Sequence, residues 1–172
     1  MKNLVVTFPG IRGCEIPLLY FGAKYYEDKG YEKIFVGHPP LDELDFEGLY
    51  EDARKQLQTV DFTRYDKVVF VAKSMGTVVA GRIKEAFQIP ATMIMLTPIE
   101  ETIPYIRGDN DIALIAAGSK DRYLATAKLE EICIKEQIPY YIEPDVGHRM
   151  EVMNDLERNL QVLANVIGRF QG

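Results

Sequence analysis

The fourteen residues from Lys67 to Ala80, KVVFVAKSMGTVVA, constrain the fold more than any other stretch of the chain. Val68 to Ala72 are apolar without a break. A strand with one face in water alternates apolar and polar side chains. An unbroken apolar run instead marks a strand covered on both faces, as in a parallel sheet flanked by helices. The chemistry changes abruptly at Lys73-Ser74-Met75-Gly76. Beyond it Val78, Val79, Ile83 and Phe87 recur at helical spacing, with no proline before Pro90. The stretch predicts a strand, a sharp turn and a helix, with a serine at the apex.

The same alternation runs through the rest of the chain. Strands are predicted over 4–8, 33–37, 92–96, 112–117 and 140–142. Helices are predicted over about 16–28, where Lys29-Gly30 supplies the stop, and over 46–57 and 126–137. Leu49, Ala53 and Leu57 share one face of the second, and Leu129, Ile132 and Cys133 point inward from the third. A closing helix carries Val152, Leu156, Leu160, Leu163 and Ile167 at three- and four-residue steps. Strands alternating with helices predict an α/β fold with a parallel sheet and right-handed crossovers. Ligands of such sheets bind beyond the carboxyl ends of the strands, near the point where strand order reverses.

Composition narrows the function classes. A chain of 172 residues fits one domain, 1–172, and can bury a core without disulfides. No apolar run approaches a membrane span, and MKNLVVTFPG lacks the longer apolar region of a secretory signal, so a cytoplasmic protein is expected. A net charge of −6 argues against a general attraction to nucleic acid or anionic membrane, and the acidic stretch 42–52 reads as a solvated face around a helix start. The two cysteines, Cys14 and Cys133, have no metal-like spacing; Cys133, between Ile132 and Ile134, is expected as a core thiol.

Ala72-Lys73-Ser74-Met75-Gly76 resembles the nucleophile elbow, G-x-S-x-G, of the α/β-hydrolases, with Ala72 in place of the first glycine. The residues two before and two after the serine must be small, so that strand and helix can approach. The serine then stands at the amino end of a helix, whose free N–H groups favour a developing oxyanion. Taken without the resemblance, Ser74 could equally be a helix cap.

The resemblance reaches three more places in the chain. His148, in Val146-Gly147-His148 after the last strand, stands where the family has its base. Asp121, in Gly118-Ser119-Lys120-Asp121 after the fifth strand, stands where it has its acid. The order serine, acid, histidine is the family's own. Pro9-Gly10-Ile11-Arg12-Gly13 takes the place of the oxyanion loop, with the backbone N–H groups of Ile11 and Met75 as donors. Glu143 and Asp145 lie near the same sheet edge, but Pro144 holds Glu143 extended and steers that segment outward, so Asp121 is preferred. Without the family, Asp121 is an aspartate in a polar turn, His148 a loop histidine, and Pro9–Gly13 a glycine-rich turn. Arg12, His38 and Lys73 are candidates for the substrate pocket; His38, before Pro39-Pro40, precedes the serine and so has the wrong order for the base.

The resemblance implies a three-layer α/β/α sandwich with a six-stranded parallel sheet in the order 2-1-3-4-5-6. It implies a serine hydrolase that cleaves a small carboxylic ester or thioester through an acyl-enzyme, with no metal or organic cofactor. Peptidase, acyltransferase and lipase chemistry use the same triad, and the same fold can serve as a non-catalytic binding module. A flavodoxin-like binder is a poorer match, because the first loop lacks a Ser/Thr-rich phosphate cradle. Family caps enter after the fourth strand. Here that stretch, TPIEETIPYIRGDND, is too short for one. An open, shallow site is therefore expected, with short-chain esters cleaved fastest and no activation at a lipid interface.

Overall fold

A computed structural model of the chain describes residues 2–13, 16–38 and 45–170. Six strands, β1 (Asn3–Phe8), β2 (Glu32–Phe35), β3 (Lys67–Lys73), β4 (Ala91–Leu96), β5 (Ile112–Gly118) and β6 (Tyr140–Glu143), form one sheet. All pairings are parallel and the order is β2-β1-β3-β4-β5-β6. Strand order reverses between β1 and β3, where Phe8 lies opposite Ala72. The carboxyl ends of these two strands run into the Pro9–Gly13 loop and the Ser74 turn.

Helices cover both faces, which is why the central strands are apolar without alternation. Leu4, Val6, Phe8, Phe70 and Ala72 face one layer, made by α2 (Phe46–Leu57), α3 (Met75–Phe87) and α4 (Thr126–Glu136). Val5, Val69, Val71, Ile94 and Leu114 face the other, made by α1 (Pro17–Glu27) and α5 (Leu156–Ile167). Leu49, Ala53 and Leu57 of α2 are buried together, as their spacing predicts. Cys133 is buried in α4, and burial, with Glu130 nearby, pushes its thiol up to about 11. Cys14 and the Pro39-Pro40 pair lie outside the described residues, as does most of the acidic stretch before Asp45.

The closing helix departs from expectation. It begins at Leu156, where the Asp155 carboxylate caps it by accepting from the Arg158 N–H at 2.9 Å. Val152 lies outside it, its backbone clasped by the Asn159 amide, which accepts from the Val152 N–H at 2.6 Å and donates to its carbonyl at 3.0 Å. Val162 and Val166 form the buried stripe, with Leu163 and Ile167 beside it, while Leu156 and Leu160 are 74% and 57% exposed. The helix carries apolar residues on two adjacent faces, and only one of them meets the sheet.

Between β4 and β5 the chain forms two 3₁₀ turns, Glu100–Tyr105 and Gly108–Asn110, and no cap. Among the described residues no helix is long and apolar enough to cross a membrane.

Candidate active site

The β3–α3 turn is shaped by close backbone packing. Ser74 has φ 55° and ψ −127°, a conformation unfavourable for any residue with a side chain, held because the strand and helix on either side fix the chain. The Ser74 N–H donates to the Leu96 carbonyl at 3.0 Å. Thr77 donates to the Ser74 carbonyl through both its N–H, at 2.9 Å, and its hydroxyl, at 2.6 Å. A Cβ at Gly76 would stand 2.1 Å from the Phe8 carbonyl oxygen, so only glycine lets α3 start this close to β1. Ala72 is fully buried, and its methyl group fits where the elbow pattern has a glycine.

Two further loops converge on the serine. Gly118 ends β5 against the segment after β6, where a Cβ would meet the Val146 carbonyl at 2.3 Å. The Lys120 N–H donates to that same carbonyl at 2.9 Å. This contact sets the Asp121 loop beside the His148 loop. His148 Nδ1 lies 2.8 Å and 3.1 Å from the two Asp121 carboxylate oxygens, and His148 Nε2 lies 2.8 Å from Ser74 Oγ. A carboxylate can only accept, so the ring proton belongs on Nδ1, and Nε2 is free to accept from the serine hydroxyl. The Asp121 side chain is 1% exposed and also accepts from the Tyr123 N–H at 2.9 Å. The Tyr123 ring packs against the imidazole, with centroids 4.4 Å apart.

The other two carboxylates near this edge are engaged elsewhere. The Asp145 side chain is 79% exposed and pairs with Lys120, whose ammonium holds its carboxyl below the usual range. Glu143 is buried. Burial pushes its carboxyl up, but the hydrogen bonds from Tyr141, Arg158 and Asn165 outweigh that and hold it low.

Lys73, directly before the serine, is buried at the end of β3. Its ammonium donates to Thr97 Oγ1 at 2.7 Å and to the His148 carbonyl at 2.8 Å, both uncharged acceptors. Burial pushes the amine down to about 8, against the opposing pull of Asp121 and Glu151.

These residues open onto a cavity of about 560 Å³. Ser74, Met75, Ile11, Arg12, Lys73 and His148 all line it, with Phe46, Ile99 and Tyr123 among the apolar walls. Met75 is the first residue of α3, so its N–H has no acceptor within the helix. After β4 the chain contributes only the two 3₁₀ turns at this edge, with Ile99 and Glu101 in the cavity lining. His38 corrects the reading as a pocket residue. Its Nε2–H donates to the Gly10 carbonyl at 2.8 Å, and it lines a separate small hollow with Phe8, Val36 and Leu49. It therefore supports the Pro9–Gly13 loop from behind.

Sequence reasoning missed Thr97, Tyr123 and Thr77. Tyr123 stands two residues after Asp121 and Thr97 at the carboxyl end of β4, positions the strand pattern marks as the ligand edge.

No protein-family model matches the sequence, and no curated protein matches it. Solved structures do. An alpha-beta serine hydrolase homologue from Coxiella burnetii superposes with a TM-score of 0.69 at 14% identity, over 99% of this chain and 85% of that one. A serine hydrolase without a lid from Xanthomonas campestris gives 0.65 at 16% identity, over 97% and 78%. An alpha/beta hydrolase enzyme from the metagenome of Mar Chica lagoon sediments, Morocco, gives 0.58 at 16%, over 94% and 89%. The chain has the α/β-hydrolase fold. At these identities the likeness is one of fold.

Proposed function

We propose that the protein is a serine hydrolase that cleaves a carboxylic ester or thioester. The observation that carries this reading is the unbroken relay from Asp121 through His148 to Ser74, with 2.8 Å at each step, opening onto a cavity large enough for a small organic substrate. His148 Nε2 takes the serine proton as Ser74 Oγ attacks the carbonyl carbon. Asp121 holds the imidazole in its Nδ1–H tautomer and stabilises the imidazolium. The N–H groups of Ile11 and Met75 receive the developing oxyanion, and the positive end of α3 favours it. The imidazolium then protonates the leaving alcohol or thiol, and water, deprotonated by the same imidazole, releases the acyl group.

A fluorophosphonate probe tests this directly, because it reacts with activated serines. Ser74 is expected to carry the label in the native protein and Ser119 to remain unmodified, its hydroxyl already accepting from the Asp145 N–H at 2.9 Å. Native protein unlabelled at every serine overturns the reading.

A further inference from the structure

Beside the cavity, on the far side of Arg149 and Glu151, lies a second hollow of about 220 Å³. Ile16, Leu18, Met150, Leu156, Leu160 and Leu163 line it. The two hollows share Ile16, Arg149 and Glu151 in their linings, so they adjoin along the protein surface. Its rim is formed by the face of α5 that does not meet the sheet. Leu156 and Leu160 stand largely in water there, and nearby Met153 is 87% exposed. On α2, by contrast, Leu49, Ala53 and Leu57 are all buried. The groove is also pre-formed. The Asn159 amide clasps the Val152 backbone on both sides, and the Met150 N–H donates to the Gly147 carbonyl at 2.9 Å, one residue from the base.

We propose that this groove seats the straight apolar chain of a medium- to long-chain ester or thioester whose carbonyl lies at Ser74. The proposal rests on the hydrolase reading above and reverses the chain-length order expected from the missing cap. Adjacency to the catalytic cavity selects this occupant: a chain that leaves the reacting carbonyl past Ile16 meets Leu18, Met150, Leu156, Leu160 and Leu163, with Arg149 and Glu151 at the boundary. The carboxylates of Glu151, Asp155 and Glu157, in a chain of net charge −6, argue against an anionic lipid surface at the same place.

Two ester series decide it: p-nitrophenyl esters from acetate to decanoate, and alkyl acetates from methyl to decyl. Both are assayed below the micelle threshold on the wild type and on the double variant Leu156→Glu/Leu160→Glu, whose sites are exposed. In one series kcat/KM is expected to rise about threefold per methylene over the carbons that reach the groove. The double variant is expected to lose ~10-fold or more of that gain on the longest member while acetate turnover is unchanged. The series that rises assigns the groove to the acyl or the alcohol side. Flat profiles in both series, or an equal loss on acetate, overturn the proposal. If even acetate is not turned over, the hydrolase reading fails separately, and calorimetric titration with decanoate still judges the groove. Binding that weakens ~10-fold in the double variant supports it, and no binding overturns it. A wild-type dimer broken by the double variant with ester profiles unmoved assigns the face to a second copy of the chain and overturns the proposal. A rate on decanoate that appears only with phosphatidylcholine vesicles assigns it to a lipid surface and overturns the proposal as well.

Discussion

The loop that carries Ser74 and the loop that carries His148 face each other across one cavity, yet they are held differently. The serine side is fixed by backbone against backbone: a positive φ, two donors from Thr77 to one carbonyl, and Gly76 pressed on Phe8. The histidine side has backbone contacts too, at Gly118 and Lys120, but adds side chains that reach from elsewhere. Asp121 holds the ring, Lys73 holds its backbone carbonyl from 75 residues away, and Ser119 Oγ accepts the Asp145 N–H. The position of the ring therefore depends on particular side chains remaining in place as well as on the main chain. Substitutions on the histidine side should remove activity in graded steps with the fold intact.

The largest step belongs to His148, the base of the proposed mechanism. His148→Ala is expected to lower kcat by ~10⁵- to 10⁶-fold, the scale for removing a triad base. His38→Ala should cost less than ~10-fold, the scale of losing a hydrogen bond such as the one it gives to Gly10. Steady-state kinetics on a p-nitrophenyl ester, with circular dichroism to check folding, reads both, and reversed magnitudes would show that the base has been misassigned.

Next comes the orienting acid. Asp121→Asn favours the wrong imidazole tautomer and should cost ~10⁴-fold in kcat. Asp145→Asn, at an exposed carboxylate paired with Lys120, should leave kcat within about twofold, since exposed ion pairs contribute little. A crippled Asp145→Asn enzyme would move the acid to the segment after β6.

The smallest step concerns Lys73, and it separates activity from stability. Lys73→Met removes the hydrogen bond to the His148 carbonyl and should lower kcat about tenfold, corresponding to about 1.4 kcal/mol. For stability the sign follows from the depressed amine. Unfolded, the lysine keeps its proton up to its ordinary value of 10.5; folded, it releases it at about 8. Between these values the unfolded chain binds more protons, so stability rises with pH. Relative to Lys73→Met, the wild type should gain about 3 kcal/mol between pH 8 and 10.5. Urea denaturation of both proteins at the two ends of that window measures the gain. Parallel pH profiles would mean that Lys73 is not strained by burial.

The same division explains how far the sequence could be read. The unbroken apolar run of β3 and the regular alternation of strand and helix carry the sheet, because burial on both faces leaves no freedom in residue type. The elbow is legible for a related reason: only small residues fit beside a turn pressed against β1, so Gly76 and Ala72 betray it. Asp121 and His148 are legible through their order along the carboxyl edge. The contacts of Lys73 are not, since nothing local records that its ammonium ends at a carbonyl 75 residues on. On α5, Leu156, Leu160, Leu163 and Ile167 repeat at helical spacing, but so do Val162 and Val166. Periodicity shows that a face is apolar without saying which face the sheet will cover.

Between β4 and β5 the chain makes only two 3₁₀ turns, and under the proposed hydrolase reading this bears on the fate of a captured acyl group. On that side of the cavity an acyl-serine would meet bulk solvent, and water and any other acceptor would compete for it by concentration and intrinsic nucleophilicity. A hydrolase of this kind would favour breaking esters over exchanging them, through the shortness of the β4–β5 segment and not through the residues around the serine.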